Sequence, residues 1–576
     1  MLRLFSKFKW YDWLFVLLLV GISFGQAYFD VYLPGQTRIL FNRMLSGYAE
    51  SYLWQAGGSV FLYAGGSFAA NLVGTVIAGY LAAAVGQSIR RDLFSKVQSF
   101  GFEEMNRFST ASLITRSTND VTQVQNVMAM MLRVAISAPI TAIWAIVRIN
   151  DGSRELTNLT AVTMSVVMVM MTLLAIFILP KFRLIQILTD KLNGVTRQNL
   201  TGLRVVKAYN ADRYEQEKFH KVNHQLNRTN VYANSIMVML MPLLILSMNG
   251  IHLAIFWLGA HLINAGSIDF PGLMEFNGLI MQVLMAFLMA AMMLVMVPRA
   301  QVSAGRILQV LRTRARITDP ENPAALIDAN RGEVEFDNVS FRYPGAEGNV
   351  LEGVSFKVAR GQTAAFIGST GSGKSTLINL VPRFYDVTEG CVKVAGRDVR
   401  ELCRKDLRAV IGYVPQKGVL FKGTVESNIN FGQAQHSDVA GAARVAMADE
   451  FVQSLDKGFQ APVSQGGKNF SGGQKQRMSI ARAIAVQPEI FIFDDSFSAL
   501  DYKTDKEVRK RLRQHTQGAT CLIVAQRIGT IMDADMIVVL DQGKVVGTGT
   551  HQQLLQSCAA YQEIALSQLS EEELTR

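Results

Sequence analysis

Charge is scarce in this chain. Only 18% of its 576 residues are Asp, Glu, Lys or Arg, against about 25% in ordinary soluble domains. Apolar residues make up 49%. That balance excludes a disordered chain and argues against an all-soluble protein. It leaves a membrane protein with a soluble part attached. Cysteine is scarcer still: Cys391, Cys403, Cys521 and Cys558 are the whole set. No two of them form a C-x-x-C pair, so the usual metal and redox spacings are absent. They read as reduced structural thiols in a cytosolic domain. Between residues 229 and 298 there is no Lys or Arg, and the acids there are Asp269 and Glu275 alone.

The basic excess has a position. Residues 1–315 hold 27 Lys/Arg and 15 Asp/Glu, while 316–576 hold 30 and 31. The formal charge of +11 therefore comes from the apolar part. A basic total can signal nucleic acid, but this placement speaks for membrane topology and against a nucleic-acid partner.

A membrane-crossing helix needs about 20 mostly apolar residues. Six stretches qualify: Trp13–Leu33, Gly57–Val85, Val127–Val147, Leu159–Leu179, Ile236–Leu258 and Asn277–Val297. The first is too long for a signal-peptide core and lacks a small-residue cleavage site, so it reads as a retained span. With the N-terminus inside, the inner segments up to residue 315 carry 22 Lys/Arg and the outer loops four: Arg38, Arg43, Arg148 and Arg154. That asymmetry assigns both termini to the cytoplasm. The inner segments 86–126 and 180–235 mix charge with apolar residues at helical spacing, so membrane helices run well past the bilayer and pair through turns near 101–108 and 210–215. Of 25 methionines, 21 precede residue 315. Met239, Met241, Met281, Met285, Met289, Met292, Met293 and Met296 crowd the last two spans, where a flexible thioether suits lipid contact, helix packing or a cavity for varied apolar ligands.

A connector with two prolines, RTRARITDPENPAALIDAN, ends at Asn330. Beyond it GEVEFDNVSFRY, LEGVSFKV and TAAFIG read as strands. The last leads into GSTGSGKST: Gly368, Ser369, Thr370, Gly371, Ser372, Gly373, Lys374, Ser375 and Thr376. This is a phosphate loop. Its glycines admit backbone N–H groups close to phosphate, and the helix N-terminus adds positive potential. Lys374 can reach the β/γ-phosphates, and Ser375 can hold Mg²⁺. IFIFDD (490–495) is a buried strand ending in Asp494, which can place an oxygen on the same ion.

With NFSGGQKQR (469–477) added, the chain resembles the ATP-binding cassette (ABC) transporters, and among them the exporters with six spans fused to one cassette. The phosphate loop, the SGGQ signature, the magnesium strand and the six-span part occur in that family's order. The resemblance implies a fold: a membrane all-α domain of six transmembrane helices with long cytosolic extensions (1–315), a linker (316–330), and an α/β P-loop ABC nucleotide-binding domain (331–576). It implies ATP and Mg²⁺ as ligands and an ATPase coupled to transport in the inner cell membrane. It also implies that Tyr343 stacks on adenine and that Gln416 meets Mg²⁺ and senses the membrane part. Ser471, Gly472, Gly473 and Gln474 would grip the γ-phosphate of a nucleotide held by an opposite cassette. Ser498–Asp501 would cross between the two.

Two positions depart from the family pattern. Asp495 stands where glutamate is the usual general base, with its carboxylate one CH₂ closer to the backbone. Gln526 stands where a histidine is usual, and glutamine cannot take up a proton near neutral pH. The signature departs only at Phe470, where leucine is usual. These features resemble the weak-site half of heterodimeric multidrug ABC exporters. They lead to the expectation of a second half-transporter as partner, a bilayer environment and a small hydrophobic or amphipathic substrate. Lipid, peptide or siderophore transport, a regulatory ATP-binding subunit that pumps nothing, and a slow homodimer remain open on these residues.

Overall fold

The computed structural model describes residues 8–150, 154–431 and 438–569; some side chains in the helices of the first part, Met241 among them, fall outside that description. The chain divides into two units: the first takes in Thr110–Arg312 and the residues up to Val97, the second Gln98–Ser109 and Thr313–Arg576.

The first unit is all helix. Its long elements are Trp10–Leu45, Glu50–Gln98, Val121–Asn150, Arg154–Thr201, Asp212–Asn264 and Phe270–Arg312. At 1.5 Å per residue the 49-residue helix Glu50–Gln98 extends about 74 Å, more than twice the hydrocarbon thickness of a bilayer. The helices therefore run well beyond any membrane, as the mixed patterning of 86–126 and 180–235 predicts. Among the described residues five stretches are long and apolar enough to cross: Trp10–Leu45, Glu50–Gln98, Thr110–Asn150, Ile245–Asn264 and Phe270–Ala290. The expected span Leu159–Leu179 lies in Arg154–Thr201, where several side chains are outside the described set. Close packing needs small residues: a β-carbon on Gly278 would stand 2.9 Å from the Pro34 ring, so these two helices touch backbone to ring. Where the helix Thr110–Thr115 meets Val121–Asn150, the backbone widens into a π-turn, Arg116–Asp120. Buried Asp120 there accepts from Ser303 Oγ at 2.9 Å and from Arg306, which pins this turn to the end of Phe270–Arg312.

The second unit is layered α/β. A six-stranded sheet runs in the order Lys544–Gly549, Met536–Asp541, Thr363–Gly368, Thr520–Val524, Ile490–Asp494, Ile411–Val414. All but the first of these are parallel. Strands covered on both faces should be apolar throughout, and Ile490–Asp494 and Thr520–Val524 are buried at every position. An antiparallel sheet of Leu351–Val358, Val334–Phe341, Glu389–Val394 and Arg397–Asp398 stands beside it, with Phe336 stacked on Phe356 at 4.6 Å. The four cysteines are free, Cys521 and Cys558 buried.

The second unit also includes a short helix, Phe102–Arg107, from the turn expected near 101–108. The Phe102 ring lies 4.7 Å from Phe384 and 6.1 Å from Tyr385. Buried Glu104 accepts from the Gly101 and Arg316 backbone N–H groups, both at 2.9 Å. The other turn falls at residues 209–211, at the start of the range expected near 210–215: the short helix Leu203–Ala208 precedes it, and Asp212 begins the next long helix after left-handed Asn210. Asp212 and Glu215 in a first turn favour a helix start there.

Candidate functional site

The phosphate loop hangs from the middle of the parallel sheet. Thr363–Gly368 lies between Met536–Asp541 and Thr520–Val524, and the helix Lys374–Leu380 follows after five residues. Two glycines are compelled. A β-carbon on Gly368 would stand 1.9 Å from the Leu540 carbonyl oxygen; on Gly373, with φ of +95°, it would stand 2.7 Å from Leu351 Cδ2. Gly371 also has positive φ, +86°, but no atom lies within 4 Å of its missing β-carbon. The space beside it is open.

Lys374 is 9% exposed. Its Nζ donates to the carbonyl oxygens of Gly368 (2.9 Å) and Ser369 (2.7 Å) and to Ser372 Oγ (3.3 Å). Burial lowers its pKa, while the charges of Asp495 and Asp494 pull it back up. A loop wrapped around a cation in this way is ready for an anion. Thr376 faces the other way: its hydroxyl lies 3.0 Å from Tyr343 Oη. The Tyr343 ring packs edge-on against Phe341 (4.9 Å) and Tyr385 (5.3 Å).

Ser375 Oγ donates to Asp494 Oδ1 at 2.7 Å, joining two motifs 119 residues apart. Asp494 is buried, and burial pushes its carboxyl above the ordinary range; the Ser375 hydrogen bond lowers it, Asp495 raises it and Lys374 lowers it. Hydroxyl and carboxylate oxygens are hard donors that fit Mg²⁺. Among the described residues no group of three His, Cys, Asp or Glu is placed to hold a metal alone. That suits an ion held by one or two protein oxygens together with substrate phosphates.

Asp495 sits one residue past the strand with φ of +47°, a left-handed conformation that aspartate tolerates better than bulkier residues. Its N–H donates to the Val524 carbonyl at 3.0 Å. Two amides converge on a single oxygen of its carboxylate, Oδ2: Gln526 Nε2 at 2.9 Å and Gln416 Nε2 at 3.2 Å. The fold thus gathers Lys374, Ser375, Gln416, Asp494, Asp495 and Gln526 at the ends of neighbouring strands.

The signature is built separately. Ser471 caps the 14-residue helix Gly472–Ala485 by a reciprocal box: Gln474 N donates to Ser471 Oγ (3.2 Å) and Ser471 N to Gln474 Oε1 (2.9 Å). Phe470 is buried against Phe451. Among the described residues Ser471 and Gln474 make no side-chain hydrogen bond to the phosphate loop. In the SALD segment, Ser498 Oγ donates to the Asp495 carbonyl (2.8 Å), and Asp501 caps Tyr502–His515.

Three residues that motif reading passes over tie these pieces together. Buried Gln476, on the signature helix, donates to the Pro415 carbonyl at 3.0 Å, next to Gln416. Arg482, one and a half turns on, donates to Asn428 O (2.8 Å) and Val419 O (3.0 Å) and lies over Phe431 at 5.2 Å; burial pushes its pKa down to about 10. Gln568 brackets the Gln526 loop, donating to Gln526 O (2.8 Å) and accepting from Ile528 N (2.9 Å). Gln476 and Arg482 stand in or just beyond the signature run, which was the available signal; Gln568 has none.

Long apolar helices joined to a P-loop α/β unit with a capped signature helix define a membrane-embedded nucleotide-driven machine. Family models agree with both parts: an ABC transporter transmembrane region matches residues 14–287, and an ABC transporter model matches 351–498. An uncharacterized ABC transporter ATP-binding protein of Mycobacterium tuberculosis is 42% identical over 491 residues, 84% of each chain. An uncharacterized ABC transporter ATP-binding protein, YfiB, of Bacillus subtilis is 35% identical over 512 residues, 88% of each. A multidrug efflux ATP-binding/permease protein of Mycobacterium tuberculosis is 32% identical over 519 residues, 87% of this chain and 42% of that one. The solved structure of a bacterial Atm1-family ABC exporter with ATP bound has the same fold, with TM-score 0.81 and 23% identity, over 97% of this chain and 98% of that one. The chain belongs to the ABC transporter family. It has the fold of an exporter half-transporter: a multi-pass membrane domain and an ATP-binding cassette whose ATPase activity is coupled to transport.

Proposed function

We propose that this chain is one subunit of a heterodimeric exporter, binding ATP at a site that hydrolyses it slowly while its signature completes the partner's hydrolytic site. The observation that carries this reading is the environment of Asp495. A base for water needs a free lone pair aimed at the substrate. Here Gln526 and Gln416 both hold Oδ2 and so fix the direction of the carboxylate, and the side chain is one CH₂ shorter than glutamate. A misplacement near 1 Å costs about 100-fold. The binding parts are sound by contrast. Gly371 leaves the space beside it open, Lys374 supplies the charge, and Ser375 with Asp494, and Gln416 beside them, would hold Mg²⁺, which supplies charge neutralisation on the phosphates when bound. Ser471, Gly472, Gly473 and Gln474 form a capped helix N-terminus free to meet a nucleotide on another cassette.

One cassette cannot build both faces of such a site. The relative named for multidrug efflux, of which this chain matches 42% of the length, supports a function that needs two such halves. In this reading residues 1–315 form the membrane domain with six spans, 316–330 the linker and 331–576 the cassette. The cassette and both termini lie in the cytoplasm and the spans in the inner membrane. Closure of the cassettes reaches the spans through turns such as Phe102–Arg107. The substrate is a hydrophobic or amphipathic compound, in keeping with Met239, Met285, Met289, Met292 and Met296, all exposed in the single chain.

The test is a comparison within the purified complex. Asp495→Ala here should lower ATPase mildly, and replacing the partner's corresponding carboxylate should nearly abolish it. Equal abolition by both, or brisk ATPase from this chain alone, overturns the asymmetric reading.

A further inference from the structure

The end of the second unit reaches back to the loop that carries Gln526. The helix Ala559–Leu566 is held by the cassette core: Tyr561 and Ala565 are fully buried, and Tyr561 Oη lies 2.7 Å from Nδ1 of buried His551. The backbone then continues the turn, with Gln568 N and Leu569 N both donating to the Ala565 carbonyl, at 3.1 and 3.0 Å. Leu569 packs on the same core. Gln568 therefore stands between two anchored residues.

From there its amide makes two hydrogen bonds to one short stretch. Nε2 donates to Gln526 O at 2.8 Å, 42 residues away, and Oε1 accepts from Ile528 N at 2.9 Å. Ile528 opens a four-residue helix, Ile528–Ile531, whose N-cap Arg527 makes no side-chain cap bond. The first N–H groups of a helix have no partner inside it, so Gln568 supplies from afar what a local cap would give. Packing alone does not fix this stretch. Gln526 and Arg527 are exposed, and beside them lies a cavity of about 420 Å³ whose lining includes Asp495, Ser498, Thr530 and Gln568. In open surroundings the aim of the Gln526 side chain depends on its backbone being held, and that side chain donates to Asp495 Oδ2 at 2.9 Å. Further on, Arg509 Nη1 donates to Gly529 O at 2.9 Å. Without Gln568 the short helix keeps that tie, and the stretch before it is released.

We propose that Gln568 is a positioning residue: it fixes the Gln526 loop and, through the Gln526 amide, the direction of the Asp495 carboxylate. This rests on the reading of Asp495 as the weak base of this site. The test measures phosphate release by the purified complex with the partner's catalytic carboxylate neutralised, so that turnover reports this site. Gln568→Ala lets the Asp495 carboxylate turn, and turnover should rise about fivefold, the worth of one hydrogen bond, at an unchanged KM for ATP. Gln526→Ala should give a similar rise. Adding Gln568→Ala to it should then change turnover by less than about 1.5-fold, because the amide through which Gln568 acts is already gone. A side chain that merely stabilised the cassette would lower turnover by the same factor in both backgrounds. An unchanged or lower rate in Gln568→Ala, or an equal factor with and without the Gln526 amide, overturns the positioning role. Should Gln568→Ala fold poorly, Gln568→Glu decides: it keeps the acceptor for Ile528 N and loses the donor to Gln526 O, so the same rise is expected and its absence overturns the role. Asp495→Ala tests the asymmetric reading separately. If that variant is as damaging as loss of the partner's carboxylate, the asymmetric reading fails, and the ratio between the two backgrounds still decides the part of Gln568.

Discussion

If the position of the Asp495 carboxylate limits hydrolysis, moving it outward should restore the rate. Asp495→Glu adds one carbon–carbon bond, about 1.5 Å. In the present geometry Oδ2 is tethered by Gln526 at 2.9 Å and Gln416 at 3.2 Å. A longer side chain cannot keep both contacts with the same backbone placement, since the Asp495 N–H is itself fixed to Val524 O. The carboxylate then reaches further from the strand and gives up at least one of these tethers. Correct placement is worth about 100-fold, or about 2.7 kcal/mol of barrier. Adding Gln526→His removes one tether and supplies a group that can hold a proton, worth up to about another 100-fold; the two are neighbours, so their effects will not simply add. The assay is phosphate release from the complex with the partner's own catalytic carboxylate neutralised, so that turnover reports this site. Expected is a rise of about 10- to 100-fold for Asp495→Glu, and no smaller a rise for the double variant, at unchanged ATP affinity. A rate within about threefold of wild type in both would refute the argument that carboxylate reach and tethering hold this site back.

The glycines separate folding from binding: Gly371→Ala should leave the cassette folded, at a cost of about 1 kcal/mol for the left-handed backbone, yet lose ATP binding because the new methyl fills that open space. Gly368→Ala should fail to fold, since its β-carbon would stand 1.9 Å from Leu540 O; thermal melts and nucleotide binding of both variants check this, and a well-folded Gly368→Ala contradicts it. Ser375→Ala removes a donor that lowers the Asp494 pKa, which burial already raises. Mg²⁺–ATP affinity should fall about tenfold for the loss of one oxygen at the metal site, its acid limb should move to higher pH, and binding in chelator should barely change. In the empty cassette the sign is the reverse: a carboxyl whose folded pKa lies above its unfolded one adds stability as pH falls through the folded value.

What the sequence discloses depends on whether a signal is local. The strands Val334–Phe341, Leu351–Val358 and Thr363–Gly368 and the loop to Lys374 follow from residues adjacent in the chain. The capping box of Ser471 and Gln474 is likewise written within four residues. The Asp495 clamp is not local, because it depends on three strands lying side by side in the order Thr520–Val524, Ile490–Asp494, Ile411–Val414. Only that order delivers Gln526 and Gln416 to the same oxygen. The two departures from the family pattern are readable one at a time, but their meeting on Oδ2 is not. Gln476 is a plainer case: it stands inside the signature run, yet its role appears only when its amide finds Pro415 O, 61 residues away.

The membrane part hides more, because hydropathy reports how apolar a helix is and not which way its faces turn. One acid in a span as long as Trp13–Leu33 alters its hydropathy little. Its cost is set by what lies opposite, and for Asp30 these are Ser67 and Gln282, from two other helices. The methionines are the more conspicuous feature in the sequence, and a thioether accepts any apolar shape without preference for charge. Any discrimination by charge would therefore have to come from groups other than the methionines of Phe270–Arg312.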